Sequence, residues 1–262
     1  MRVLAIFGIT LSLGALFLGH TLAGGSLAAL FQPVALLVVL GGTIGAVCMQ
    51  STPALLRRCS DAFLQAMSAK HLDIPQVVNL LSGFAKVASQ STPLALDREL
   101  PRIDEPFLHR ALTLVVDNHP TALLRETLAV DAQLQQLRNK EVVKFWESAA
   151  GYAPTIGILG SVLGLLHVMS ALDEPTKLGA GIAVSFVATL YGLALANLVC
   201  LPIANRLKAM FTEQAVYQEL CIEAACLIAS QENYRHTTER LQAFGRRATL
   251  SARQGEARAA FV

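Results

Sequence analysis

Two apolar stretches, residues 151–172 and 178–201, hold the few side chains whose types and spacing could do chemistry. The first carries Gly157, Gly160, Ser161 and Gly164, with His167 further on. The second carries Gly181, Ser185, Thr189, Gly192 and Ala196, small or hydroxylated at close to every fourth position. On a helix that spacing makes a narrow face that a second helix can approach closely, with hydroxyls able to bond a carbonyl or line a wet path. Pro154 lies early in the first stretch and Pro202 just past the second. Each removes a backbone donor and leaves the carbonyl four residues back, Ala150 or Leu198, without its usual partner. In an antiparallel pair the two prolines fall near one end, at one depth, and read as a hinge. His167 is a lone imidazole and reads as a bundle-facing or interfacial polar group rather than a proton relay. Hydrolytic chemistry is not supported, because Gly160-Ser161 and His167 would share one helix with no orienting acid and no clear oxyanion donors.

What the stretches lack decides more. Proton and cation paths through a bilayer generally use an ionisable group, most often a carboxylate. No Asp, Glu, Lys or Arg occurs at 3–56, 148–172 or 178–205. An ion path here would need a carboxylate from another protein, set against the small-residue face. The chain is therefore half of a channel or not a channel.

The elements that position these residues follow from the same charge-free windows. A membrane helix needs about 20 mostly apolar residues. The windows supply four such spans, at 3–19, 33–49, 151–172 and 178–201, the first two separated by Gly24, Gly25, Ser26 and Pro33. With 53% hydrophobic and 15% charged residues, a soluble α/β protein is the poorer reading. Of the 21 Lys and Arg, eleven fall between 57 and 144 and eight after 205, with Arg2 at the start and Lys177 alone in an outer connection. The positive-inside rule then places both termini and the middle segment in the cytoplasm. Cleavage of the first span as a signal peptide would sacrifice that asymmetry. A net charge of +2 gives no case for nucleic acid, and four spans without an internal repeat do not suggest a solute carrier. Five cysteines without metal-ligand spacing read as reduced structural thiols. The expected fold is an all-α membrane protein in four parts. Residues 1–56 form spans one and two, 57–147 a cytoplasmic helical domain, 148–205 spans three and four, and 206–262 a helical cytoplasmic tail.

In the cytoplasmic part, Asp73 to Gln76 has capping-box spacing, and Ile74, Val77, Val78, Leu81, Phe84 and Val87 should form one buried face. Pro93, Pro101 and Pro106 break the next stretch into short pieces, where Lys86, Asp97, Arg98, Glu99, Arg102, Asp104 and Glu105 cluster. A pattern of Leu123, Leu124, Leu128, Leu134 and Leu137 follows Pro120, with no breaker before Gly151, so that this helix continues into span three. Tyr217, Leu220, Cys221, Ala224 and Leu227 form an apolar stripe in the tail. The domain is small for an independent core and should pack on the tail or on neighbouring subunits.

GGSLAALFQP at 24–33, APTIGILGSVLGLLHVMSALDEP at 153–175 and SFVATLYGLALANLVCLPIANRL at 185–207 resemble the MotA/PomA family of flagellar motor stator proteins. The resemblance covers all four spans and their loops. It implies a pentamer of such subunits around a pair of MotB-type partners, each with a single span that supplies the essential aspartate. Ion flow would turn the ring in the bacterial inner membrane and, through cytoplasmic charges, a rotor switch protein of the FliG type. It implies ion-path roles for Ser161 and Thr189 and torque-coupling roles for Pro154 and Pro202. The LALDREL run at 94–100 resembles the segment that carries the acidic rotor contact, which falls on Asp97 beside Arg98 and Glu99. The basic residue usually found ahead of it is missing, with Ser89 and Gln90 in its place and Lys86 nearest. Val34, Ala35 and Leu36 stand where many members are acidic. Sodium-coupled members tend to have threonine at both hydroxyl positions, so serine at 161 leaves the ion open, with protons favoured over sodium. No cofactor or metal is implied. The nearest rival, the ExbB/TolQ-type energy-transducing subunits, usually has three spans and an outer N-terminus.

Overall fold

The structure is a computed structural model that describes residues 2–68, 73–169 and 175–259. The connection within 170–174 and the last residues, 260–262, lie outside it, and so do the side chains beyond residue 246. Among the described residues all regular structure is helical. The chain forms two compact units, 1–68 with 141–207 and 69–140 with 208–262.

The first unit begins with α1 (Arg2–Leu22), a one-turn α2 (Leu27–Leu30) and α3 (Pro33–Met49). The turn between α1 and α2 needs Gly24, whose φ is 83°, and Gly25, where a Cβ would collide with the His20 ring. His20 Nε2 lies 3.2 Å from the Ser26 carbonyl, and Ser26 caps α2. Pro33 opens α3, where a missing N–H costs nothing. After α4 (Pro53–Ser68) the chain returns to this unit through the second part of α7 (Thr121–Met169), then α8 (Pro175–Ala194), a π-helical turn (Leu195–Cys200) and the start of α9 (Leu201–Ala229). The α7 helix runs unbroken for 49 residues through Pro154, as the absence of a breaker predicts. Among the described residues, three helical stretches are long enough and hold a window apolar enough to cross a membrane: Leu27–Met49, Thr121–Met169 and Ser185–Ala229. The stretch Thr10–Leu22 of α1 is a shorter apolar helix.

The second unit holds α5 (Ile74–Gln90), 3-10 turns at Pro93–Arg98 and Leu100–Arg102, α6 (Pro106–Val116), the first part of α7, the rest of α9, and α10 (Tyr234–Ala259). Its core joins Leu81 and Phe84 of α5 with Leu112, Leu128, Leu220 and Leu241. The tail and the middle segment thus share one interior, which answers the small size of either alone. The predicted tail stripe is buried at Leu220, Cys221, Ala224 and Leu227, with Tyr217 packed beside it.

Three details differ from the sequence pattern. Asp73 is the N-cap of α5 but makes no side-chain capping bond. The buried face of α5 runs through Ala85 and Ala88 and leaves Val87 37% exposed. On α7, Leu124 and Leu128 are buried, whereas Leu123, Leu134 and Leu137 are 49%, 49% and 51% exposed. The helix turns its 124–128–132 edge to the core, so the other leucines point away from it.

Candidate functional site: the crossing of α7 and α8

The small residues make α7 and α8 nearly touch. A Cβ on Gly157 would sit 2.9 Å from the Ala188 carbonyl oxygen and 3.3 Å from the Gly192 Cα. One on Gly192 would collide with the Ala153 carbonyl, and one on Gly164 with Ser185. At Gly160 a Cβ would lie 3.2 Å from Ala188 Cβ and 3.3 Å from Val38. Helices pack this closely in lipid only where side chains are absent, because packing rather than hydrophobic force holds them. The glycine face that the sequence leaves open to a partner helix is occupied by the chain's own α8. A partner must use another side of the pair.

Ser161 and Thr189 flank the crossing, one on each helix. Each follows a residue of the Gly160–Ala188 contact, both are half-buried, and Thr189 Oγ1 donates to the Gly157 carbonyl at 3.4 Å. That bond is long and holds the hydroxyl loosely. His167 is exposed near the end of α7. Tyr191, which the sequence reading passed over, fixes the outer end of the site. Its hydroxyl donates to the Leu30 carbonyl and accepts the Gln32 N–H at 3.1 Å, tying the break between α2 and α3 to α8. A tyrosine within an otherwise apolar run was the available signal.

The prolines are not level. The contacts set Pro154 opposite the stretch that starts the π turn, with Ala149, Ala150 and Ala153 packed on Ala196 and Cys200. Pro202 lies about two turns further along, by the helical rise per residue. Its effect nonetheless reaches back. Pro202 has no N–H to give, and upstream of it the helix pairs in the wider register, with Leu201 N–H bonded to the Ala196 carbonyl. What stands level with Pro154 is the π turn, not Pro202 itself.

In the second unit the 3-10 turns present the charged residues. Leu96 and Leu100 are buried plugs, which leaves Asp97 and Arg98 exposed on the outward side. Neither makes an ion pair among the described residues. Glu99 pairs with Arg102 at 3.2 Å, and Lys86 is exposed on α5. In the same unit a half-exposed ion-pair hub joins α7, α9 and α10, where Glu223, its side chain 14% exposed, accepts from Arg125 at 2.8 Å and Arg240 at 3.0 Å. Its carboxylate holds the Arg125 guanidinium above its ordinary pKa.

Closely packed apolar helices with no Asp, Glu, Lys or Arg at 148–172 or 178–205 define a membrane helix bundle. Residues 99–219 match the MotA/TolQ/ExbB proton channel family, and residues 6–92 match the motility protein A N-terminal family. A Bacillus subtilis motility protein A is 30% identical over 84% of this chain and 82% of its own. The chain belongs to the motility protein A members of the MotA/TolQ/ExbB proton channel family. The N-terminal match separates it from the ExbB/TolQ-type subunits. Among solved structures, the Bacillus subtilis flagellar MotAB stator complex aligns with a TM-score of 0.82 at 29% identity, over 90% of this chain and 93% of that one. The fold is shared with C. jejuni MotAB at a TM-score of 0.87 and 24% identity, over 93% of this chain and 96% of that one.

Proposed function

We propose that the chain is a stator subunit of the flagellar motor. It would line an ion path beside a MotB-type single-span partner and turn ion flow into torque on the rotor. The observation that carries this is the α7–α8 crossing, with hydroxyls at Ser161 and Thr189 and no carboxylate in either span. A protonatable aspartate from the partner completes such a path, and protons are the favoured ion. Because α3 covers one side of the pair, at Val38 and Gly42, the partner helix docks on an uncovered side. In this reading α1 is a fourth span, both termini and the second unit are cytoplasmic, and the membrane is the bacterial inner membrane, as the Lys and Arg distribution supports. Asp97, Arg98 and Lys86, exposed beside a well-anchored turn, meet a rotor switch protein of the FliG type. Glu99 acts chiefly by holding Arg102. Copies of the chain form a ring, a pentamer by family resemblance, and the exposed leucines of α7 lie between copies.

The test is reconstitution. Expressed alone, the chain leaves proton permeability of vesicles at background. Expressed with a single-span partner bearing a membrane aspartate, it raises permeability, and the rise vanishes when that aspartate becomes asparagine. Permeability raised by this chain alone would sink the reading.

A further inference from the structure

Thr43, on α3, is 3% exposed, and its hydroxyl has no hydrogen-bond partner among the described residues. Apart from Ser82 on α5, whose buried hydroxyl is likewise unpartnered among the described residues, several helical hydroxyls satisfy themselves on the carbonyl one turn back. Ser12 does so on Gly8 at 2.8 Å, Ser51 on Val47 at 2.7 Å and Thr212 on Lys208 at 2.8 Å. Thr43 makes no such bond, although it lies on the packed face of α3 with Ala35, Val39 and Val47. An unmet buried hydroxyl costs free energy, and an apolar residue there would avoid the cost.

Its depth gives the hydroxyl something to do. Val47 packs with Ala149, Ala150 and Ala153, a Cβ on Gly42 would meet Ile156 at 2.8 Å, and Gly160 faces Val38. The α3 and α7 helices therefore run antiparallel, and Thr43, between Gly42 and Val47, is level with Pro154. On the α8 side Leu195, the first residue of the π turn, packs with both the Val39 and the Val47 clusters, which brackets Thr43 again. One depth thus holds a proline that cannot donate, a helical turn in the wide register and a hydroxyl without an acceptor. Ala150, whose carbonyl Pro154 deprives of its donor, is buried within that apolar cluster, so a replacement donor has to come from a side chain.

We propose that Thr43 is a positioning residue of the Pro154 hinge. Its hydroxyl, unpartnered in this conformation, donates to the Ala150 carbonyl when α7 bends, and so stabilises the bent state relative to the straight one. The assignment of torque to that bending rests on the stator reading above; the hydroxyl–carbonyl pairing does not.

The test uses the full chain with its partner and two variants. Thr43→Val keeps the shape and loses the hydroxyl, and Thr43→Ser keeps the hydroxyl. A carbon-13 carbonyl at Ala150 should show a second, hydrogen-bonded amide I component in wild type and Thr43→Ser that is missing in Thr43→Val. The Thr43→Val complex should melt no lower than wild type while its torque per stator falls severalfold, with Thr43→Ser restoring torque. A purely structural threonine would lower melting and torque together, and that result overturns the proposal. So does a single Ala150 component in wild type, or wild-type torque in Thr43→Val. A wild-type pair that shows both carbonyl components yet turns no motor would instead sink the stator reading.

Discussion

At the residue scale the glycines of the crossing make the sharpest claim. Gly192 faces the Ala153 backbone, which cannot move aside as a flexible side chain can, whereas nothing lies within 4 Å of a Cβ on Gly83 in α5. Gly192→Ala should therefore cost about 1–3 kcal/mol, typical of overpacking. Gly83→Ala should add about 0.5–1 kcal/mol by relieving helix entropy. Thermal melts of the solubilised protein followed by circular dichroism read both, and a neutral Gly192→Ala would contradict the close crossing. The glycine spacing was legible in the sequence, but its occupant was not. Periodicity shows that a face is narrow and says nothing about which helix fills it, and here α8 fills it. Thr43 and Tyr191 went unread for a related reason. One hydroxyl in an apolar run has no periodicity, and its meaning depends on contacts with distant residues.

At the scale of elements, helix identity and the unbroken α7 followed from composition, prolines and the absence of breakers. The π turn did not, because a proline two residues past it withholds a donor without saying in which register the preceding turn will pair. The ends of α6 and α9 show how local chemistry closes a helix. Asn118 and Gln231 both take positive φ, 54° and 52°, and both ends are locked by returning backbone bonds. Asparagine tolerates that region and glutamine pays for it, so Gln231→Gly should raise stability by about 1 kcal/mol in denaturant titration. The α9 helix also carries a buried thiol. Burial pushes Cys221 up to about 12 from 9.0, a hydrogen bond from Tyr217 lowers it, and Glu105 nearby raises it. Burial raises the Tyr217 hydroxyl as well. Above pH 9.0 the unfolded chain releases the thiol proton and the folded chain keeps it. The contribution is intact below pH 9.0 and is lost as pH rises toward about 12. Unfolding midpoints should drop as pH rises from 9.0 toward about 12, less steeply in Cys221→Ala. Equal slopes would place the thiol in solvent.

For the whole molecule the decisive feature is what one chain leaves uncovered. In the second unit Leu123, Val130, Leu134 and Leu137 of α7 are about half exposed, between 49% and 51%, and recur at spacings of three, four and seven along one helix face. A water-facing helix keeps such a stripe at a cost unless something covers it. Leu124 and Leu128, on the adjoining edge, are fully buried in the unit's own core. The two edges separate folding from assembly. Leu134→Glu with Leu137→Glu changes only exposed positions, so a lone chain should keep its helical signal and melting temperature. A ring that closes on this stripe would have to bury two unpaired carboxylates per contact and should fall apart into single chains on size exclusion with light scattering. Leu124→Glu places the same charge in the core and should unfold the unit outright. If the double variant still assembles, the stripe faces water and neighbouring copies meet elsewhere. If it dissociates without unfolding, the same variant should also abolish partner-dependent proton flux, because the proposed path would need the ring to close around the partner's aspartate.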